Sequence, residues 1–303
     1  MQNLSLSPFI FTFGAMGSPC ELQFYSPTPQ FAQKVAQQII TDIHRLEQKY
    51  SRYRADSFLS KINHIALTGG TIAIDDETAG LLNYARTCYE LSDGLFDITS
   101  GILREAWQFD SGILPDDKTI EKLLRRIGFE YLHIENRTLT FSQAQMELDF
   151  GGIVKEYAAD RAATLCENLG ISHGMINLGG DIKIIGSHPD KKAWRIGIQH
   201  PRNKTQIWKT IKLKSGALAS SGDYERCMII DGIRYGHILN PKTGYPVKQI
   251  SAVSVIADLC VVAGSSATIA MLKEKEGEKW LKSLGVVHYV WNTKIATTSL
   301  VKS

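Results

Sequence analysis

A chain of 303 residues with 44% hydrophobic content can bury a large core, as one broad domain or as two intimate halves. Its formal net charge is only +3 and its basic residues are scattered, so a nucleic-acid partner gets no electrostatic support. Five widely spaced cysteines without a CxxC pair favour buried thiols over disulfides, metal ligands or a nucleophile.

The chain opens without a basic n-region, a long apolar run or a lipoprotein-type cysteine, and Pro8–Phe13 reads as a first strand rather than a signal segment. No stretch is long and apolar enough to span a bilayer. A reducing cytoplasm is therefore expected, with export reserved for a chain whose leader had been cut away.

Phe9–Phe13 and Glu21–Tyr25 are expected to pair as strands. Phe31, Val35, Ile39, Ile43, Leu46 and Tyr50 recur at helical spacing and predict a helix over roughly 30–50. A second helix runs through Leu81, Leu82, Ala85, Cys88 and Tyr89 and stops near Gly94; a third covers Thr119–Ile127 and stops at Gly128. Arg137–Phe141 and Gln145–Phe150 are expected to form a ribbon. Ile153, Tyr157, Ala158, Ala162, Leu165 and Leu169 mark a fourth helix, closed by Gly170.

Strands follow at Met175–Ile185, Trp194–Gln199 and Ile207–Leu213. Asp231-Gly232, between Cys227–Ile230 and Ile233–Ile238, is a strong type I′ hairpin signal. A strand at Val253–Ala257, helices at 263–272 and Glu276–Leu284, and a strand at Val286–Trp291 complete the chain. Ribbons outnumber clean βαβ units. The expected class is therefore α+β, antiparallel sheets with packed helices. No low-complexity linker divides residues 1–303, which read as a single unit with room for two diverged, similar subdomains.

Three glycine clusters carry the chemistry: Asp149-Phe-Gly-Gly-Ile-Val-Lys-Glu-Tyr-Ala-Ala-Asp160, Asn177-Leu-Gly-Gly-Asp181 and Gly236-His-Ile-Leu-Asn-Pro-Lys-Thr-Gly244. The first lies where a strand gives way to a helix, a junction whose free amides and positive dipole end suit a phosphate-bearing ligand. Glycine pairs let that ligand approach the main chain closely. Neither glycine pair has the G-x-G-x-x-G spacing, and no Walker A, H-E-x-x-H, G-x-S-x-G or EF-hand sequence is present. The pattern points to a nucleotide-like ligand outside the Rossmann and P-loop classes.

Seven segments, in order along nearly the whole chain, resemble the ApbE family, the FAD:protein FMN transferases. They are Ala15-Met-Gly-Ser18, Tyr50-Ser-Arg-Tyr-Arg-Ala-Asp-Ser57, Ser92-Asp-Gly-Leu-Phe-Asp-Ile-Thr99, Asp149–Asp160, Asn177–Asp181, Ser220-Ser-Gly-Asp-Tyr224 and Gly236–Gly244. The resemblance implies a T-fold-like architecture and an enzyme that cuts the pyrophosphate of FAD. It would release AMP and join FMN through a phosphoester to a Thr or Ser hydroxyl of an acceptor flavoprotein. Its implied partners are FAD and that acceptor's flavinylation segment, with no nucleic acid.

The implied site runs as follows. Met16 and Tyr53 touch the flavin or adenine, offering a thioether and an aromatic face to a flat ring. Leu95, Phe96 and Asp97 line the adenosine end, although Asp97 alone reads equally as a turn residue. Lys155 faces the diphosphate as a point charge. Asp149 and Asp160 orient ribose hydroxyls or backbone groups. His237 takes the proton of the acceptor hydroxyl, because imidazole titrates near neutrality, with Ile238 beside it and Asp223 in support.

The family's metal site is similar to a set made by the Gly152 carbonyl and Thr268, but Gly264 stands where the family carries Asp. A weakened or altered Mg²⁺ site is therefore expected. Val154 replaces the usual Ala, Glu156 replaces Gly and Asn240 replaces Asp. These departures leave two alternatives beside an active transferase: a non-catalytic FAD-binding or flavin-delivery relative, and an FAD pyrophosphatase.

Overall fold

The computed structural model describes residues 6–292. In chain order the strands and helices begin with β1 (Ser7–Ala15), β2 (Ser18–Ser26), α1 (Pro29–Tyr50), α2 (Phe58–Ala66), β3 (Gly70–Ala73) and α3 (Asp76–Leu91). Next come α4 (Asp117–Leu124), β4 (Leu132–Glu135), β5 (Thr138–Phe141), α5 (Val154–Asn168), β6 (Gly174–Leu178) and β7 (Asp181–Ile185). The remainder is β8 (Trp194–His200), β9 (Asn203–Leu213), β10 (Ala217–Gly222), β11 (Cys227–Ile230), β12 (Ile233–Gly236), β13 (Ile250–Ala257), α6 (Cys260–Leu272), α7 (Gly277–Ser283) and β14 (Val287–Asn292).

Seven strands form one antiparallel sheet in the order β1-β2-β6-β7-β10-β13-β14. The class is α+β, as the ribbon-rich pattern predicts. Helices α1, α5 and α6 pack on the sheet and on one another. Their apolar stripes build the main core with Leu22, Phe24, Ile176 and Val253 of the strands. The β8–β9 ribbon buries Trp194, Ile196, Ile198, Ile211 and Leu213 in a second cluster with Ile182, Ile184 and Leu218 of the sheet. A third cluster joins Leu103, Trp107, Ile120 and Leu123 to Met228 of the β11–β12 hairpin.

Local chemistry sets the boundaries. The Thr28 hydroxyl accepts from the Phe31 amide and Pro29 fills the first turn, so α1 starts where its stripe begins. Asp231 and Gly232 have φ of 50° and 76°, the mirror-image turn that the sequence signal demands.

The structure corrects the strand reading in three places. Gln145–Phe150 does not pair with Arg137–Phe141; β5 lies between β3 and β4 instead. The backbone of that segment is satisfied elsewhere: Gln145 and Met146 donate to the carbonyls of Leu67 and Ala66, and the Asn63 amide brackets Leu148. Met175–Ile185 is not one strand, because Gly179 and Gly180 at φ of 61° and 94° turn it into the β6–β7 hairpin. β10, a strand in the middle of the sheet, is spelled Ala-Leu-Ala-Ser-Ser-Gly and lacks the alternation and β-branched residues that announce a strand.

Candidate active site

The glycine-rich turn before α5 is held from both sides. Asp149 accepts from the Gly151 amide at 2.9 Å and pairs with Arg52, whose other nitrogen donates to the Tyr53 phenol at 2.9 Å. Gly152 packs closely on Phe96: a Cβ there would lie 3.3 Å from the ring, which would have to give by a few tenths of an ångström. Ile153, at the N-cap position of α5, provides no side-chain cap, and Lys155 and Glu156 occupy the first turn.

The Lys155 ammonium lies 2.7 Å from Asp181 Oδ2, at the start of β7. Burial opposes its charge, but Asp181 outweighs that and holds Lys155 above the ordinary lysine range. The bare β6–β7 turn lies against it: Gly179 adopts φ +61°, and a Cβ there would meet Ser18 at 2.7 Å and lie 3.7 Å from the ammonium. Three carboxylates, of Asp181, Glu156 and Glu225, bear on this one ammonium. Beside it opens a cleft of about 580 Å³ lined by Ser18, Cys20, Asn177, Gly180, Tyr224 and Glu225, among others.

His237 follows β12. Its amide donates to the Arg226 carbonyl at 3.0 Å and its Nδ1 lies 3.2 Å from the same oxygen. A carbonyl only accepts, so Nδ1 carries the proton and Nε2 presents a lone pair. The ring reaches solvent, yet the protein crowding it lowers its pKa below the histidine value of 6.5. Glu225 favours the charged form of the ring, whereas Arg226 and Lys155 oppose it.

Glu156 is buried, its Oε2 has no hydrogen-bond partner, and burial followed by repulsion from Asp181 pushes its carboxyl up to about 7. It leans on Gly264 of α6. Thr268, one turn further along α6, shares a 2.8 Å hydrogen bond with Ser221 of β10. A diphosphate entering this carboxylate-rich corner needs added positive charge. An orphaned hard oxygen, a hydroxyl and a glycine-turn carbonyl suit a divalent cation such as Mg²⁺.

Comparison with known proteins identifies the family. Residues 16–291 match the ApbE family. The chain belongs to that family. Among its relatives is the FAD:protein FMN transferase of Vibrio cholerae, 30% identical over 246 residues that cover 78% of this chain and 73% of the relative. The FAD:protein FMN transferase of Treponema pallidum is 27% identical, over 86% and 80% of the two chains. Among solved structures, the ApbE protein of Thermotoga maritima superposes with a TM-score of 0.85 at 30% identity, covering 94% of each chain. The flavinyl transferase ApbE of Pseudomonas stutzeri gives 0.84 at 25% identity, over 96% and 92%.

Against the ApbE motifs, the expected site residues divide into two groups. Met16, Tyr53, Asp149, Gly152 and His237 lie on turns and loops, Lys155 in the first turn of α5 and Thr268 within α6. Met16 sits at φ 53° in the two-residue β1–β2 turn, a conformation unusual for a long side chain, and Glu47 pins its amide at 2.6 Å. Tyr53 is 73% exposed, with its phenol held by Arg52 and Arg226.

The second group is occupied internally. Asp160, expected at ribose hydroxyls or at backbone groups, holds backbone groups: it accepts from the Cys260 and Val261 amides at 2.8 and 2.9 Å and caps α6. Asp97, expected at the adenosine end, accepts from Thr99 and the Phe129 amide and closes a buried turn, with burial raising its carboxyl. Asp223, expected beside the base, is clamped by both Arg202 guanidinium nitrogens. Ile238 belongs to the main core, Phe96 packs there too and Leu95 is half-buried against it. Asn240 accepts from the Lys242 amide at 2.9 Å, a turn-closing contact that needs an oxygen rather than a charge.

The sequence reading left Asp181, Arg52, Glu225 and Arg226 without roles. Asp181 and Arg52 were visible, since each lies inside a matched motif. Glu225 and Arg226 directly follow the Ser-Gly-Asp-Tyr segment, and nothing in their spelling announces a site.

Proposed function

We propose that this chain, an enzyme of the transferase kind like its named relatives, moves FMN from FAD onto a Thr or Ser hydroxyl of an acceptor flavoprotein. The observation that carries the reading is the His237 ring: its Nδ1 donates to the Arg226 carbonyl, so Nε2 keeps its lone pair, and desolvation lowers the ring's affinity for a second proton.

In this reading the acceptor hydroxyl oxygen attacks the FMN phosphorus and His237 Nε2 takes its proton. The bond from that phosphorus to the bridging oxygen breaks, and AMP departs with that oxygen. Lys155 steadies the charge that develops on the diphosphate, with Asp181 fixing where its ammonium stands. The glycine turns at Gly151-Gly152 and Gly179-Gly180 admit the phosphates close to the main chain. Tyr53, its phenol tethered by two arginines, offers a flat face for a ring. The Gly152 carbonyl, Thr268 and Glu156 are the groups that would hold Mg²⁺, which when bound supplies positive charge to the diphosphate.

The test is to incubate the protein with FAD, Mg²⁺ and an acceptor domain and look for gel-resistant flavin fluorescence with AMP released in equal amount. His237→Ala should slow labelling by about 10²–10⁴-fold while leaving FAD binding intact. An unlabelled acceptor panel, next to a transferase control that labels it, would overturn the proposal. AMP release without label would make the chain a pyrophosphatase instead.

A further inference from the structure

Positions 156 and 264 both depart from the family pattern, and the structure brings them into contact. A Cβ built on Gly264 would lie 2.6 Å from Glu156 Cγ, 2.7 Å from Oε1 and 2.9 Å from Cδ. The Glu156 side chain thus fills the space that any side chain on Gly264 would need. Gly264 has no positive φ to explain it, so the neighbour is the reason for the glycine.

Glu156 is 7% exposed, and its Oε2 has no hydrogen-bond partner. A buried carboxylate oxygen without a donor is costly and persists where something else completes it. Thr268 stands four residues beyond Gly264 and therefore on the same face of α6. Among the described residues no three His, Cys, Asp or Glu side chains converge on a metal position. A set with a single carboxylate is enough for Mg²⁺ where phosphate and water supply the remaining ligands.

We propose that Glu156 and Gly264 are a carboxylate exchange between facing helices. The acid that the ApbE resemblance implies at position 264 of α6 is supplied here from α5, and Glu156, with Thr268 and the Gly152 carbonyl, holds the divalent cation. This rests on the flavin-transfer reading and reverses one expectation drawn from the sequence: the carboxylate is relocated rather than lost. It also accounts for Glu156, which by spelling alone looks like a charge in the wrong place.

The test is direct binding of Mn²⁺, followed by the electron paramagnetic resonance of the free ion, with and without FAD. Wild type should bind one ion per chain. Glu156→Gln, which preserves shape, and Glu156→Gly, which leaves no buried amide, should each weaken binding by about 10–100-fold or more, at least the range for groups that only support a ligand. Gly264→Asp alone should gain nothing, because its side chain meets Glu156. The exchange variant Glu156→Gly/Gly264→Asp should return to within a few-fold of wild type.

Wild-type affinity in Glu156→Gln or Glu156→Gly overturns the exchange, and so does tighter Mn²⁺ binding by Gly264→Asp with Glu156 intact. FAD binding without metal, measured by flavin fluorescence on the same samples, separates the two ideas. Its loss in wild type defeats the flavin reading, whereas normal FAD binding with an indifferent Glu156 defeats only the exchange.

Discussion

Asp160 and Glu156 lie one turn apart on α5 and both meet α6, yet the protein treats them in opposite ways. Asp160 receives two amide donors from the first turn of α6, with the Lys183 ammonium 3.5 Å away. Glu156 receives no donor at Oε2, faces the Asp181 carboxylate and is pushed up to about 7 by burial. The first arrangement stabilises a helix junction, where a charged acceptor offsets exposed N–H groups. The second sacrifices stability to keep a hard oxygen unspent. The two acids thus differ in partners as well as burial: Asp160 is partly buried and fully partnered, whereas Glu156 is buried with an unpartnered oxygen.

That contrast is open to attack by substitution. Lys155→Met should do most damage, because it strands Asp181 beside Glu156 without a counter-charge; urea unfolding should register a loss of about 3–5 kcal/mol. A change below about 1 kcal/mol would mean the corner carries little electrostatic tension. Asp160→Ala should cost about 1–2 kcal/mol, the usual value of a helix cap, and leave FAD affinity unchanged. A fall in FAD affinity without a stability change would return Asp160 to the ligand and dissolve the distinction.

The pH profile gives a smaller effect. Because His237 titrates below 6.5, transfer should climb as acidic solution is made neutral and level off before pH 7, the neutral imidazole being the working form. A rate still climbing between pH 7 and 8 would point to a different base. Smallest of all is Asn240→Asp. An Asp oxygen accepts from Lys242 as an Asn oxygen does, so melting should shift by no more than about 0.5 kcal/mol equivalent.

The sequence made the helices legible wherever an apolar stripe was long. α1 follows its predicted face and α5 its predicted bounds, although the buried side of α5 runs through Ala159, Ala163 and Cys166 while Tyr157 and Leu165 are half-buried; the Asp231-Gly232 turn is readable from two residues. α2, nine residues long, and β10, built of small residues, fell below that threshold because tertiary packing rather than local preference makes them. In the site, ordered motifs located Lys155, His237 and the glycine turns. They could not say which acids were already in use, since Asp97, Asp160 and Asp223 find their partners 32, 100 and 21 residues away. Nor could spacing reveal that Glu156 touches a glycine more than a hundred positions on.

Arg226 joins two parts of the chain that are remote in sequence. Its guanidinium holds the Tyr53 phenol at 3.2 Å, and its carbonyl anchors the His237 ring. One short backbone segment thus governs both the aromatic plate and the imidazole. A ring settling on the plate and a hydroxyl approaching the imidazole share a common mount, so displacement of either is felt by the other. Trimming the Arg226 side chain would cut that link while sparing the carbonyl, and would leave the plate on its Arg52 tether alone.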